Sequence, residues 1–339
     1  MNMLKNVKKK ICVVGGDRRQ LYLSQLLADR GHVVTCYATV SGKETTPEAL
    51  RHREQEAQTS ESANERKGYG AESPNLQSEG AYAESGAYAD SQNECMEQAI
   101  RGCDTVILPF PLSPDGITLN CTSADKPRLE DLFCAVRRLC LPSVKVFGGA
   151  VKRVSAEIAE KHGIAVTDYG MIEDIAVRNA VPTAEGALEV AMKELDVTVR
   201  GSCAAVIGYG RCGSELARLL KALGAEVVGI ARSGRDRAKM SKDGVRGYGF
   251  ERLSEALCEA DIIFNTVPFH VIDCQTLAEL PRGSVIVELA SAPGGVDREC
   301  AAEYGVKVIH APSLPGKYAP KTAAEIIGEA LIPIIERND

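Results

Sequence analysis

The run Cys203-Ala204-Ala205-Val206-Ile207-Gly208-Tyr209-Gly210-Arg211-Cys212-Gly213 decides the fold of the second half of the chain. Five apolar residues form a strand pattern that leads directly into a Gly-x-Gly-x-x-Gly loop. Beyond Gly213, Leu216, Leu219, Leu220 and Leu223 recur at helical spacing, Gly224 supplies a stop, and a second strand pattern follows at once. Strand, glycine loop and helix in that order predict a βαβ unit that binds a dinucleotide. Gly208 permits the tight turn, Gly210 lets a pyrophosphate approach the backbone, and Gly213 lets helix and strand pack closely. The helix N-terminus supplies amide donors and the positive end of a dipole.

Working outward, strands are predicted at 204–207, 227–230, 261–265, 285–288 and 307–310, with helical patterns between them, as in a doubly wound sheet. The Rossmann-type core is expected over 201–312, within a domain at 181–317 that begins with a linker helix at 183–195, just after Pro182. The chain's first half opens with an apolar strand at 10–14, a helical pattern through Leu21, Leu23, Leu26 and Leu27, and a second strand at 32–37. Later strands are expected at 104–109, 144–147 and 165–168. These give an α/β, flavodoxin- or Rossmann-like domain over 1–180, completed by a C-terminal helix at 318–339. Two α/β domains of this kind resemble the 2-hydroxy-acid dehydrogenase architecture.

Residues 41–94 break the pattern, being rich in Ser, Glu, Gln, Ala and Gly and containing the tandem repeat Gly80-Ala81-Tyr82-Ala83-Glu84-Ser85, Gly86-Ala87-Tyr88-Ala89-Asp90-Ser91. Such a composition buries too little apolar surface to offset its ordering entropy, so a disordered surface insertion is expected.

Length and composition agree with a two-domain globular protein: 339 residues, 45% hydrophobic and 25% charged. A net charge of −6 offers no basic footprint for nucleic acid or an anionic membrane. The apolar run after Lys10 ends at Gly15-Gly16, too short for a signal-peptide core, and no run approaches the roughly 18 residues of a membrane span. A cytoplasmic protein is expected. Among twelve cysteines there is no Cys-x-x-Cys pair. They are expected to act as small hydrophobes, as at Cys12, Cys203 and Cys258, and no metal site is expected.

The end of the second Rossmann strand selects the cofactor. An NAD site places Asp or Glu there, whereas this chain has Ala231-Arg232-Ser233, with Arg235 and Arg237 close behind. With no carboxylate to repel a 2′-phosphate, Arg232 is placed to clamp one and Ser233 to hydrogen-bond it, which favours NADP(H). Arginines on a solvated loop are the alternative. Asn265-Thr266-Val267-Pro268 and Leu289-Ala290, at later strand ends, are expected to line the adenosine or nicotinamide ribose. D-2-hydroxy-acid dehydrogenases use an Arg after a strand-end loop and a Glu-His pair. No Arg lies in 288–295, and His270 and His310 qualify only by position.

A closer resemblance is carried by several segments in order along the chain. They are Val14-Gly15-Gly16-Asp17-Arg18-Arg19-Gln20, Asn179-Ala180-Val181-Pro182-Thr183-Ala184-Glu185-Gly186, the loop Gly208–Gly213, Asn265–Pro268, Leu289-Ala290-Ser291-Ala292-Pro293-Gly294-Gly295, Leu314-Pro315-Gly316 and Ala319-Pro320-Lys321-Thr322-Ala323. Together they resemble the family of A-type subunits of dipicolinate synthase; the 41–94 insertion lies outside the motifs. The resemblance implies oxidation of dihydrodipicolinate to dipicolinate with NADP, beside a flavoprotein-like B-type subunit, in the mother-cell cytoplasm of a sporulating bacterium. For such a substrate, Arg19 and Lys321, assisted by Asn179, are expected to hold two carboxylates across a cleft between the domains, with Glu185 or Asp17 relaying the proton. The same residues have plainer roles available: helix caps for Asp17 and Arg19, a helix-start charge for Glu185, a solvated helix end for Lys321. Two other functions stay open: a dehydrogenase of a different 2-oxo, 2-hydroxy or imino acid, and a non-catalytic Rossmann subunit.

Overall fold

Ile11–Val14 of Lys10–Val14 (β1) are wholly buried, the continuous apolar run of a strand covered on both faces. The computed structural model describes residues 8–39, 96–122, 126–281 and 283–337; the predicted insertion at 41–94 lies outside the described residues. The chain divides into two compact units, one of Met1–Gly170 with Leu331–Asp339, the other of Met171–Ala330.

In the first unit β1 pairs in parallel with Val33–Tyr37 (β2) and Thr105–Ile107 (β3), and the sheet continues through Lys145–Gly148 (β4) to Val166–Asp168 (β5). The strand order is β2-β1-β3-β4-β5, the flavodoxin-like order. Its helices are Arg18–Asp29 (α1), Met96–Ile100 (α2), Leu129–Leu139 (α3) and Arg153–Lys161 (α4). Cys12, Val14, Val106, Leu132, Phe133 and Val146 lie at the centre of its core. The last residues of the chain belong to this unit: Lys145 Nζ donates to the carbonyls of Ile334 and Arg337, and His32 Nε2 lies 3.4 Å from Glu336 Oε1.

The second unit begins with Glu173–Arg178 (α5) and Ala180–Met192 (α6). A six-stranded parallel sheet follows, of Cys203–Ile207 (β6), Glu226–Ile230 (β7), Arg246–Tyr248 (β8), Ile262–Asn265 (β9), Val285–Glu288 (β10) and Lys307–His310 (β11). Its order, β11-β10-β9-β6-β7-β8, is that of a Rossmann sheet. Helices Arg211–Ala222 (α7), Gly234–Lys242 (α8), Leu253–Leu257 (α9), Cys274–Ala278 (α10), Arg298–Glu303 (α11), Leu314–Tyr318 (α12) and Pro320–Ile335 (α13) complete the element order. The order reverses between β6 and β9, so the carboxyl ends of these strands open a ligand crevice.

Several expectations need correction. The linker helix starts earlier, at Ala180, and contains Pro182 as its third residue, where the first turn needs no intrahelical donor. Leu314-Pro315-Gly316, for which no helix is predicted, opens α12, because proline in the first helical positions removes only an unused N–H. The polar edge strand β8 and the short α5 escape the periodicity reading. Cys274 and Cys300 do not stand apart as hydrophobes: the structure pairs them as a disulfide, 26 residues apart in sequence.

Candidate functional site

Gly208 follows β6 with φ +91°, and a Cβ there would meet Thr266 Oγ1 at 2.3 Å. Gly213, in the first turn of α7, lies so close to the strand end that its Cβ would sit 2.1 Å from the Gly208 carbonyl oxygen. These two glycines are dictated by packing. Gly210 differs, since a Cβ there meets no atom within 4 Å. As N-cap of α7 it offers no side chain to the first-turn amides, and no other side chain caps them among the described residues. The bare backbone of Gly210 and the uncapped helix end form the cradle that a pyrophosphate requires.

Within the same loop Tyr209 turns inward, its hydroxyl donating to Asp243 Oδ2 at 2.7 Å. Burial, then the Asp243 carboxylate, raises its pKa well above that of an ordinary tyrosine. Tyr209 therefore anchors the loop. Arg211 is exposed and pairs with Glu173 at 2.8 Å, and Cys212 is half-buried with its thiol pKa raised by burial.

At the end of β7, Ala231 is buried and its N–H donates to Tyr248 O. Arg237 Nη1 donates to the carbonyls of both Ala231 and Arg232 at 2.9 Å, fixing the turn. Ser233 caps α8 by accepting the Asp236 N–H, which leaves its own O–H able to donate. Arg232 is exposed and, among the described residues, its side chain makes no hydrogen bond or ion pair. This turn presents one fixed backbone, one hydroxyl and one uncommitted guanidinium.

The loops after β9 and β10 are knitted by a pair that the sequence reading missed. Asn265 is wholly buried, and its Nδ2 donates to Glu288 Oε1 at 2.9 Å and to Val267 O at 3.0 Å. Its Oδ1 accepts the Val267 N–H. Glu288, 1% exposed, also accepts the Ala290 and Gly295 amides at 3.2 and 2.9 Å. Thr266 Oγ1 donates back to Ile207 O, tying the second loop to the glycine turn. A carboxylate closing the apolar run Val285–Val287 was the available signal.

The remaining candidate residues fall in two places. In the first unit, Asp17 and Arg19 follow β1 at its own switch point, beside the loop after β3. Asp17 caps α1 in a capping box with Gln20. Arg19 is 4% exposed, pairs with Asp17 at 2.8 Å, donates to Phe110 O and stacks over the Phe110 ring. Asp17 thus fills the helix-capping role, whereas Arg19 does not cap the helix: its guanidinium is held by Asp17 and the Phe110 carbonyl, and its charge is balanced by Asp17. Gln20 Nε2, buried beside them, has no partner among the described residues.

In the second unit, Asn179 joins α5 to α6, with its Oδ1 buried and unpartnered among the described residues. Glu185 and Lys321 are exposed, on α6 and α13. Among the described residues, no side-chain hydrogen bond or ion pair within the second unit joins Asn179, Glu185 and Lys321. Gly186 is fixed by packing, because a Cβ there would meet Tyr318 Cδ2 at 2.8 Å. His270 and His310 are both exposed, and His270 Nε2 lies 3.7 Å from Asp297 Oδ2.

Residues 178–299 match the family model described as "D-isomer specific 2-hydroxyacid dehydrogenase, NAD binding domain". The A-type subunit of dipicolinate synthase from Bacillus subtilis is 38% identical over 163 residues, which are 48% of this chain and 55% of that protein. D-lactate dehydrogenase of Treponema pallidum is 26% identical over 157 residues, 40% of this chain and 46% of that protein. The chain therefore spans about half the length of the curated relatives it matches. Among solved structures, the A-type subunit of dipicolinate synthase from Bacillus halodurans has a TM-score of 0.76 at 24% identity, covering 99% of this chain and 100% of that one. The Bacillus subtilis structure gives 0.74 at 25% identity, covering 97% and 96%. The chain is a two-unit, parallel-sheet α/β protein with a nicotinamide-cofactor domain of the 2-hydroxyacid dehydrogenase type, and it resembles the A-type subunit of dipicolinate synthase.

Proposed function

We propose that the chain is the dehydrogenase subunit of a dipicolinate synthase, oxidising dihydrodipicolinate to dipicolinate with NADP. The observation that carries the cofactor half is the turn after β7, where an uncommitted Arg232 stands in place of a carboxylate. The substrate half rests on the resemblance to the A-type subunit of that enzyme across both units.

The reaction removes two hydrogens from the dihydropyridine ring, one as hydride and one as a proton, and leaves the aromatic ring. NADP, when bound, supplies the hydride acceptor. The chain's own residues would position it: the α7 amides and the backbone of Gly210 would hold the pyrophosphate, Arg232 and the Ser233 hydroxyl the 2′-phosphate, and the Asn265–Glu288 pair would set the ribose loops, including Leu289 and Ala290. Because aromatisation favours product, orientation counts for more than a strong base. Arg19, Asn179 and Lys321 are the proposed carboxylate contacts, with Asp17 and Glu185 as proton relays. The Asp17–Arg19 pair sharpens the roles: a substrate carboxylate would share a guanidinium already held in place by its neighbour.

We further propose a flavoprotein-like partner, the B-type subunit of the synthase, and action in the cytoplasm of a sporulating mother cell. The test is to mix the purified chain with NADP and freshly generated dihydrodipicolinate, with and without that partner, and follow the ultraviolet absorbance of dipicolinate. Aromatic product formed at the expense of NADP supports the reading. NADPH binding with no turnover in either mixture overturns it and leaves a non-catalytic subunit. The family-model match favours one further reading, a dehydrogenase of another 2-oxo, 2-hydroxy or imino acid. Turnover of such an acid in place of dihydrodipicolinate would establish it.

A further inference from the structure

Three metal-binding side chains converge on one edge of the second unit, where no spacing motif announces them, and the exposed His270 lies beside one of the three. Cys274 opens α10, Asp297 caps α11, and Cys300 lies in the first turn of α11. The two sulfurs and one Asp297 carboxylate oxygen lie within 4.8 Å of one another. Asp297 Oδ2 is 3.8 Å from Cys274 Sγ and 3.7 Å from His270 Nε2.

The backbone holds this set in place without help from the side chains. Val271 and Ile272 donate to Gly295 O, and Asp297 N–H donates to Ile272 O, zipping the segment before Cys274 to the segment before Cys300. Asp297 Oδ1 accepts the Cys300 N–H at 3.1 Å, so the carboxylate is oriented and Oδ2 faces Cys274 and His270. Such outer hydrogen bonds are what orient ligands around a metal.

A disulfide between Cys274 and Cys300, as the structure pairs them, would use only the two sulfurs. The Asp297 carboxylate brings the grouped donors to three, and the exposed His270 imidazole, 3.7 Å from that carboxylate and outside the group, is the fourth donor the site would recruit. Around zinc, with sulfur at about 2.3 Å and oxygen or nitrogen at about 2.0–2.1 Å, a tetrahedron has S···O edges of about 3.5 Å and N···O edges of about 3.3 Å. The distances of 3.8 and 3.7 Å approach those two edges to within a few tenths of an ångström, while the bonded sulfurs would have to part on reduction and the exposed His270 ring would have to swing toward them. Thiolate, imidazole and carboxylate together are a donor set suited to zinc.

We propose that the chain, with Cys274 and Cys300 reduced, binds one zinc ion through both sulfurs, Asp297 Oδ2 and His270 Nε2. A dithiol reductant delivers the two electrons and two protons that open the disulfide, and zinc binding then releases the two thiol protons. The ion joins the segments following β9 and β10 and is independent of which substrate the enzyme turns over.

The test uses the full chain, purified anaerobically with a dithiol, with free thiols counted and metal measured by mass spectrometry after gel filtration. Cobalt(II) substitution reports the ligands optically, through sulfur-to-cobalt charge-transfer and tetrahedral ligand-field bands. The expected result is one zinc per chain, lost in the C274S/C300S double variant together with the charge-transfer band. H270A and D297N should each weaken zinc at least tenfold while leaving circular dichroism unchanged; Asn at 297 retains the cap. These two keep the outcome readable should the double variant misfold. Absence of stoichiometric metal from the fully reduced chain overturns the proposal, as does uptake that all these variants leave unchanged. A Cys274–Cys300 crosslink formed in air, with no metal bound after reduction, assigns an ordinary disulfide instead.

Discussion

Substituting Gly210 by alanine tests the cofactor loop where packing and ligand binding make opposite demands. Gly210 has φ −76° and ψ −158°, a conformation open to any residue, and a Cβ there meets nothing within 4 Å. Alanine at an N-cap costs about 0.5–1 kcal/mol against glycine. The stiffer unfolded chain returns about 0.4–1 kcal/mol, so stability should stay within about 0.5 kcal/mol of the parent. The added methyl stands on the bare face proposed for the pyrophosphate. Losing one or two charge-assisted amide bonds of about 1.5–3 kcal/mol each, partly recovered by a shifted phosphate, gives a loss of about 2–4 kcal/mol. That corresponds to roughly 30- to 900-fold weaker cofactor binding. Gly213→Ala is the internal control, because its Cβ would lie 2.1 Å from a backbone oxygen. Forcing that contact apart costs about 3 kcal/mol or more, lowering the melting point of the second unit by roughly 6–12 °C. Cofactor titration by NADPH fluorescence and thermal unfolding of both variants separate the two effects. Parent-like NADPH affinity in Gly210→Ala would refute the placement of the pyrophosphate, and a melting point as low as that of Gly213→Ala would refute the open face.

Arg232→Ala should weaken NADP about tenfold, the lower end for an exposed charge-assisted contact, and NAD less than twofold, with the difference shrinking as salt rises; equal losses would argue against a 2′-phosphate contact. Glu288→Ala strands the Asn265 amide and the buried Gly295 N–H, which should destabilise the second unit by about 3 kcal/mol in denaturant unfolding; a parent-like midpoint would show that the pair does not hold the loops. Asp115 accepts from the Ile117 and Thr118 amides and from the Thr118 and Ser113 hydroxyls, and these bonds hold its pKa well below the ordinary 3.8. A depressed carboxylate stabilises fully above its unfolded pKa and ceases to do so as pH falls through its folded value. Asp115→Asn should therefore melt below the parent at neutral pH, with the gap closing as pH drops below about 4; a gap that widens toward acid would reverse the assignment.

The parts legible in the sequence are those whose constraints are local. A strand followed by Gly208, Gly210 and Gly213 can be read because the tight turn, the approach of Gly213 to Gly208 and the helix end are local, although Gly208 also packs against the distant Thr266. The run at Val285–Val287 shows a buried strand by composition alone. The partnership of Asn265 with Glu288 spans 23 residues, and that of Cys274 with Cys300 spans 26, so neither has a periodic signature. β8 is three residues long and polar at an edge, where burial imposes no pattern. For Asp17 and Arg19 the sequence offered two uses, capping and ligand contact, and only the hydrogen bonds show that Asp17 caps while Arg19 is held by Asp17 and the Phe110 carbonyl.

The first unit takes its final residues, Leu331 onward, from the far end of the chain. During synthesis, strands β1 to β5 therefore leave the ribosome long before the segment carrying Ile334, Glu336 and Arg337 exists. His32 and Lys145 wait for those partners while the whole nucleotide-binding unit is made. The segment that completes the first unit is made after the whole second unit, and a chain truncated at residue 330 would keep every residue of the second unit while lacking these contacts to His32 and Lys145.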